Sequence, residues 1–174
     1  MTQEIADALR RAESVLQRRP SAGMHDDAPA TSRWQGGLRF ESSHANGMRI
    51  ATDMPVELGG SGERITPGWL MRAGLAACAA TSILMTAIAE GIELTTLELV
   101  ASSRSDTRGV LGMTDDAGNT VDPTPRDLQL HVRIGAAAST AERLQAIVEQ
   151  GCRRSPIPNA LQHAVPISLR VEIA

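Results

Sequence analysis

The feature that most constrains the fold is residues 66–91, TPGWLMRAGLAACAATSILMTAIAEG, which carry no charge over residues 73–89. Thr66 and Pro67 are residue types that open a helix, since threonine caps the first turn and proline lacks an N–H that this turn leaves unpaired. Gly91 is the type that closes one. A helix that is apolar or small on every side is normally buried on most of them. The stretch therefore predicts a long, buried central helix.

Composition excludes several classes of function. The net charge is −3 and no basic run is present, which argues against a nucleic-acid partner. All 17 basic side chains are arginine, so chemistry that needs a lysine nucleophile is excluded. The uncharged run of the central helix has 17 residues and is rich in alanine, serine and threonine, which is short and polar for a membrane span. We expect neither a nucleic-acid nor a membrane partner.

The two cysteines, Cys78 and Cys152, are too few for a secreted disulfide framework in a chain of 174 residues. The N-terminus is charged and helical in pattern, unlike a secretory signal, so we expect a cytoplasmic protein. The four histidines are scattered without the spacing of metal ligands. We therefore expect no metal site and no bound cofactor.

The remaining pattern predicts an α+β fold with mainly antiparallel sheet. An amphipathic helix over residues 3–18 is followed by a linker over residues 21–32, which together form an N-terminal extension of residues 1–32. A second helix is predicted from a capping box of Ser139 and Glu142 to about Cys152. Residues 105–126 have the composition of a long loop or irregular hairpin. The predicted strands, the first two joined by an Asn-Gly turn, are residues 33–44, 47–54, 94–104, 128–134 and 167–173.

Cys78 lies near the middle of the central helix, and its role from spacing alone has two interpretations. The helix row that contains it is uniformly small (Gly74, Cys78, Ser82, Thr86), so another backbone, such as that of a second subunit, could approach closely. The thiol is too far along the helix to be activated by the helix N-terminus, and Arg72 faces another side. A reactive thiolate would need an arginine from another segment. Alternatively, Cys78 is a small core residue that only fills space.

Cys152 is predicted at the C-terminal end of its helix, where the carbonyl groups disfavour a thiolate. The neighbouring Arg153 and Arg154 act in the opposite direction. The sequence alone leaves the net effect open, and a core role for Cys152 is the alternative.

Two segments taken together resemble the OsmC/Ohr family of thiol-dependent peroxidases. The first is PGWLMRAGLAACAATSILMTAIAEGIEL with the preceding GMRIATDMPVELGGSGERIT, and the second is CRRSPIPNAL with the following VPISLRVEI. The pairing of a cysteine in an LAAC context with a downstream C-x-x-S-P cysteine is more specific than either half. The resemblance covers residues 33–174 and implies one OsmC-like domain over that range, after the N-terminal extension.

The resemblance implies an intertwined homodimer, in which sheets wrap around the paired central helices and the active sites lie at the subunit interface. It assigns Cys78 as the peroxidatic cysteine and Cys152 as the resolving cysteine. An arginine from the N-terminal strands holds the thiolate, for which Arg39 is the candidate and Arg33 the alternative. The implied substrate is an organic hydroperoxide, and an external dithiol, of lipoyl type in the Ohr branch, reduces the resulting disulfide.

One departure from the family pattern bears on activity. The peroxidase branches carry a glutamate just after the proline that opens the helix, where it helps to fix the arginine, and this chain has Gly68 there. Glu57 and Glu63 of the preceding loop are candidates to replace it. The rival hypothesis is a non-catalytic OsmC-like dimer that binds a small hydrophobic ligand in its interface pocket.

Overall fold

The computed structural model describes residues 2–173, and the chain forms two compact units, Met1–Gly74 and Leu75–Ala174. The helices are α1 (Thr2–Arg18), α2 (Pro67–Ala89), α3 (Thr107–Val110), α4 (Ala141–Arg153) and α5 (Pro156–Gln162), with 3₁₀ turns at Pro20–Gly23 and Val56–Leu58. The strands are β1 (Thr31–Trp34), β2 (Phe40–Ser43), β3 (Arg49–Thr52), β4 (Leu94–Arg104) and β5 (Arg126–Ala136).

The first unit contains a three-stranded antiparallel sheet of order β1-β2-β3. The single strand predicted over residues 33–44 is wrong, because a turn at Gly36 and Gly37 divides it into β1 and β2. The predicted Asn-Gly turn between β2 and β3 is confirmed, with Gly47 at φ +91°. β1 also begins inside the predicted linker, at Thr31.

The predicted N-terminal helix is confirmed as α1. Among its described residues only Ala6 is buried, while Ile5, Val15 and Leu16 of its apolar side are about 40% exposed. The division of the chain into an extension of residues 1–32 and a domain of residues 33–174 stays a prediction.

In the second unit β4 and β5 form a long antiparallel pair, as predicted, and the helices pack on it. The fully buried centre of this packing consists of Ile83 and Ala87 from α2 with Ile147 from α4. Alternate apolar side chains of the two strands pack against this centre, namely Leu97, Leu99, Val132 and Ile134. The core therefore joins the helix of one cysteine to the helix of the other.

The start of α4 differs from the prediction. Thr140 is the N-cap, because its hydroxyl oxygen accepts the backbone N–H of Arg143, and the hydroxyl of Ser139 is buried without a partner. The predicted capping box of Ser139 and Glu142 is wrong by one residue. Threonine and serine are both good N-cap residues. Where the two are adjacent, the backbone conformation decides which of them caps the helix. The short α5, which begins with two prolines in three residues, was not predicted.

The strand predicted over residues 167–173 is also wrong. These residues have no regular secondary structure, and Ile167, Leu169, Val171 and Ile173 are 71–93% exposed. Alternating apolar residues produce a strand only where a sheet edge receives them, and no edge within residues 2–173 does so.

The α+β class with antiparallel sheets is confirmed. Helix α2 is buried on one side only in the single chain: Leu75, Ala79, Ile83, Thr86, Ala87 and Ile88 are buried. Ala77, Thr81, Leu84 and Met85, one turn apart on the other side, are exposed. By length and composition α2 could cross a membrane, but the core helix of a soluble protein passes the same test, so this is weak evidence.

Candidate active site

Helix α2 presents Cys78 about three turns from its beginning. The side-chain oxygen of Thr66 accepts the backbone N–H of Trp69 at 3.1 Å, which confirms threonine as the cap that sets where the helix starts. The Cys78 thiol is free and half-buried. A polar side chain at this depth requires partners from the elements around it.

Two hydrogen-bond donors point at the sulfur of Cys78, one from the turn between α4 and α5 and one from the first turn of α5. The hydroxyl of Ser155 donates to Cys78 Sγ at 3.1 Å, and the backbone N–H of Ile157 donates to it at 3.5 Å. Ser155 is completely buried, so no water competes for its hydroxyl. The C-x-x-S-P segment is therefore in direct contact with the cysteine of the central helix.

The side chain of Asn159 holds this turn in shape. Its amide nitrogen lies within 2.7 Å of the carbonyl oxygen of Ser155, 2.9 Å of that of Arg153 and 3.4 Å of that of Cys152. The backbone N–H of Ser155 also donates to the carbonyl of Cys152 at 3.1 Å. Carbonyl groups from the end of α4 and from the cap of α5 thus converge on one amide.

Cys152 occupies the last turn of α4, where its free thiol packs against the core of Ile83, Ala87 and Ile147. Burial raises the pKa of the Cys152 thiol above its usual value. The sequence left the direction of the Cys152 pKa shift open, and in the structure the shift is upward. Cys152 therefore favours the neutral thiol.

Cys152 also lines an apolar groove of about 420 Å³ within the second unit. The wall is formed by β5, α4, α5 and the first residue of the unit, and its apolar side chains are Leu75, Leu128, Leu130, Val132, Val148, Pro158 and Leu161. Gln129 and Gln162 are the other two lining residues. A groove of this size and polarity fits the hydrocarbon part of a small molecule.

In the first unit, Arg39 lies beside two carboxylates. Its Nε donates to Asp53 Oδ2 at 3.4 Å, and its Nη2 donates to Glu63 Oε2 at 3.5 Å. The side chain of Arg39 is 53% exposed and that of Asp53 only 2%. A buried anion therefore anchors one side of the guanidinium group, while the other side remains accessible.

Asp53 itself is held in its ionised form. The hydroxyl and the backbone N–H of Ser61 donate to its Oδ2 at 2.6 and 3.0 Å, and the backbone N–H of Met54 donates to its Oδ1 at 2.7 Å. These bonds, the Ser61 hydroxyl first, lower the pKa of Asp53 to about 2. Asp53 is consequently a permanent negative charge beside Arg39 at neutral pH.

The structure brings Cys78 together with the segment that follows Cys152, while Arg39 belongs to the other unit. Arg33, the alternative arginine, lies on β1 opposite Glu41. The catalytic roles of Cys78, Cys152 and Arg39 stay predictions. Within residues 2–173, no group of three or more histidine, cysteine or acidic side chains could hold a metal ion.

Sequence reasoning named Glu63 as a replacement for the family glutamate but missed Asp53 and Ser155. Ser155 carried a signal, since it is the serine of C-x-x-S-P, but a serine before a proline is also an ordinary helix cap. Asp53 follows β3 with no pattern that distinguishes it from other acidic loop residues.

A family model described as OsmC-like protein matches residues 60–170, which is more than half of the chain. The chain belongs to the OsmC-like family. The matched range contains Cys78, Cys152 and Ser155, and it begins after Arg39 and Asp53. No match was found among curated protein sequences.

Solved structures of OsmC-like proteins share the fold. The chain resembles an OsmC-like protein from Mycoplasma pneumoniae with a TM-score of 0.65 and 18% identity, over 80% of this chain and 89% of that one. An organic hydroperoxide resistance protein from Elizabethkingia anophelis has a TM-score of 0.60 and 20% identity, over 80% of this chain and 90% of that one. The organic hydroperoxide resistance protein OsmC from Legionella pneumophila has a TM-score of 0.57 and 22% identity, over 80% of this chain and 91% of that one. At these identities the likeness concerns the fold alone.

Proposed function

We propose that this OsmC-like protein is a thiol-dependent peroxidase that reduces organic hydroperoxides through Cys78 and Cys152. The observation that carries the proposal is the contact between Cys78 Sγ and Ser155, because it joins the helix of one cysteine to the turn that follows the other. The names of its structural relatives, organic hydroperoxide resistance proteins, support the substrate class.

In the first step, the Cys78 thiolate attacks the terminal oxygen of the hydroperoxide. A sulfur–oxygen bond forms, the oxygen–oxygen bond breaks, and the departing alkoxide takes up a proton to become the alcohol. Two electrons move from the sulfur to the peroxide, and Cys78 becomes a sulfenic acid. The Ser155 hydroxyl and the Ile157 N–H donate to the sulfur that performs this attack.

In the second step, the sulfur of Cys152 attacks the sulfenic sulfur of Cys78. A disulfide forms and water leaves, carrying the oxygen that came from the peroxide. The raised pKa of Cys152 keeps it a neutral thiol that does not compete with Cys78 for the peroxide. As its sulfur attacks, the thiol proton passes to the departing hydroxide of the sulfenic acid, which leaves as water. An external dithiol, of lipoyl type, returns both cysteines to thiols.

Arg39 is the cation that we assign to the Cys78 thiolate. Its contacts with Asp53 and Glu63 supply the carboxylates that Gly68 does not. Asp53 and Glu63 therefore take the place of the helix glutamate of the peroxidase branches. The accessible part of the guanidinium group leaves donors for a thiolate and for a peroxide oxygen.

We further propose a homodimer in the cytoplasm, formed around the exposed side of α2. Ala77, Thr81, Leu84 and Met85 make this side apolar or small, and Leu84 and Met85 are about 40% exposed. An apolar helix face of this kind is stabilised by a second copy of the same surface.

Consumption of cumene hydroperoxide by the reduced protein, with dihydrolipoamide or dithiothreitol in excess, tests the function. The proposal predicts sustained turnover that Cys78→Ser abolishes. Absence of turnover with both dithiols, or an unchanged rate in Cys78→Ser, would refute it. Cys152→Ser serves as the matched control, since it keeps the first step and interrupts the regular cycle.

A second function, binding of a small hydrophobic ligand without catalysis, is favoured by the apolar groove beside Cys152. Binding of a fluorescent fatty acid and consumption of cumene hydroperoxide, measured on the same protein, distinguish the two functions. A non-catalytic protein binds the fatty acid in this groove and leaves the hydroperoxide unchanged. The peroxidase consumes the hydroperoxide whether or not it binds the fatty acid.

A further inference from the structure

Ser155 uses every polar group that it has. Its backbone N–H donates to the carbonyl of Cys152, and its own carbonyl accepts the backbone and side-chain N–H groups of Asn159. Its hydroxyl donates to Cys78 Sγ, with 3.1 Å between the oxygen and the sulfur. With none of its surface exposed, Ser155 cannot exchange this sulfur for a water molecule.

A thiol sulfur is a weak hydrogen-bond acceptor, whereas a thiolate is a strong one. A buried hydroxyl that is committed to a neutral sulfur gains little for its desolvation. The same hydroxyl stabilises the sulfur well once it is charged. The geometry therefore indicates a residue that acts on the reactivity of Cys78 in addition to packing beside it.

We propose that Ser155 is a positioning residue for Cys78: its hydroxyl fixes the sulfur in one orientation and supports the charge that develops on it, and Asn159 holds Ser155 in place for this purpose. The proposal deepens the peroxidase function given above and rests on it for its biological role. The contact itself can be tested without any peroxide.

The test follows the alkylation of Cys78 by iodoacetamide as a function of pH, in a Cys152→Ser background where Cys78 is the only thiol. Loss of the Ser155 hydroxyl in Ser155→Ala is expected to slow alkylation at pH 7 about tenfold, which is the effect of one hydrogen bond to a charged group. The pH of half-maximal rate moves upward, while the limiting rate at high pH is unchanged. A purely structural role predicts a different result, a higher limiting rate because the loosened site admits the reagent more easily.

Three companion variants sharpen the result. Ser155→Thr keeps a hydroxyl and is expected to recover most of the rate. Asn159→Ala keeps Ser155 but frees the turn, so the half-maximal pH moves in the same direction by less. Ser139→Ala is the matched control, because it removes a buried hydroxyl of the same unit that has no partner, and it leaves the profile unchanged.

The proposal is overturned if Ser155→Ala alkylates within twofold of the parent at pH 7 with the same half-maximal pH. Should Ser155→Ala fail to fold, Asn159→Ala decides: an unchanged profile overturns the proposal and an upward shift supports it. A shifted alkylation profile in a protein without hydroperoxide turnover would refute the peroxidase function and leave the role of Ser155 standing.

Discussion

Gly151 of α4 lies directly against Ile83 of α2. A Cβ atom on Gly151 would stand 2.6 Å from the Cα atom of Ile83 and 2.8 Å from its backbone nitrogen. Both residues are buried, and Ile83 has no exposed surface. The two helices cross at backbone distance one residue before Cys152 and five residues after Cys78. This crossing brings the helices of the two thiols together.

Replacement of this glycine tests the crossing. Gly151→Ala is expected to lower the free energy of unfolding by about 2 kcal/mol, because the added methyl group meets backbone atoms that cannot rotate away. Chemical denaturation, followed by circular dichroism, measures the change. Gly68→Ala is the matched control: its Cβ would meet nothing closer than 3.7 Å, and alanine is the better helix former. Equal stability of the two variants would show that the helices do not cross at Gly151.

The depressed pKa of Asp53 predicts a pH-dependent stability. Its pKa is about 2 in the folded protein and about 4 in an unfolded chain, so the ionised form favours folding. This contribution is fully present above pH 4 and is lost as the pH falls from 4 towards 2. Asp53→Asn is therefore expected to melt at a lower temperature than wild type at pH 7, with the difference shrinking below pH 4.

Thermal melts between pH 7 and pH 2 provide the measurement. Asp116→Asn, which alters an exposed carboxylate, is the control and should follow the wild-type curve throughout. A difference between Asp53→Asn and wild type that stays constant down to pH 2 would show that the Asp53 charge does not stabilise the fold.

The proposed role of Glu63 predicts that its loss lowers activity less than the loss of Arg39. Glu63→Gln removes a carboxylate beside Arg39 and is expected to lower kcat/KM for cumene hydroperoxide several-fold, whereas Arg39→Gln lowers it by about a hundredfold. Gly68→Glu restores the family glutamate and should change kcat/KM less than twofold, because Arg39 already pairs with the carboxylates of Asp53 and Glu63. A large gain in Gly68→Glu would mean that Asp53 and Glu63 do not replace that glutamate.

The proposed dimer predicts that a charge on the exposed side of α2 prevents association. Leu84→Arg places an arginine in an apolar interface and is expected to give a monomer in multi-angle light scattering. Val110→Arg, on the exposed α3, alters an apolar residue that is 60% exposed and should leave the mass unchanged. A monomeric wild-type protein would contradict the dimer directly.

Regular patterns made most of the fold predictable. The uncharged run with its threonine cap predicted α2, and the clean alternation of residues 128–134 predicted β5, which pairs with the strand predicted over residues 94–104. The errors occur where a pattern needs a partner or a local geometry to be realised. The segment 167–173 alternates but meets no sheet edge, and the Gly36–Gly37 turn interrupts a run that otherwise has the composition of one strand.

The two thiols of the candidate site could be predicted from the sequence, whereas the residues that contact and position its side chains could not. Cys78 and Cys152 stood out because they are the only cysteines and because their contexts resemble a family. Ser155, Asn159 and Asp53 act through contacts that depend on how turns and the short α5 fold, and a single serine, asparagine or aspartate in such segments carries no spacing that predicts these contacts.

The proposed peroxidase function requires that Cys78 is the thiol that hydroperoxides oxidise. The most direct measurement treats reduced Cys152→Ser protein with an equimolar amount of cumene hydroperoxide in the presence of dimedone, and maps the adduct by peptide mass spectrometry. If Cys78 is the peroxidatic thiol, Cys152→Ser gives a dimedone adduct on Cys78 and one equivalent of alcohol, while wild-type protein gives the disulfide between Cys78 and Cys152 instead. An unmodified Cys78, or alcohol formation by Cys78→Ser at the wild-type rate, would contradict it.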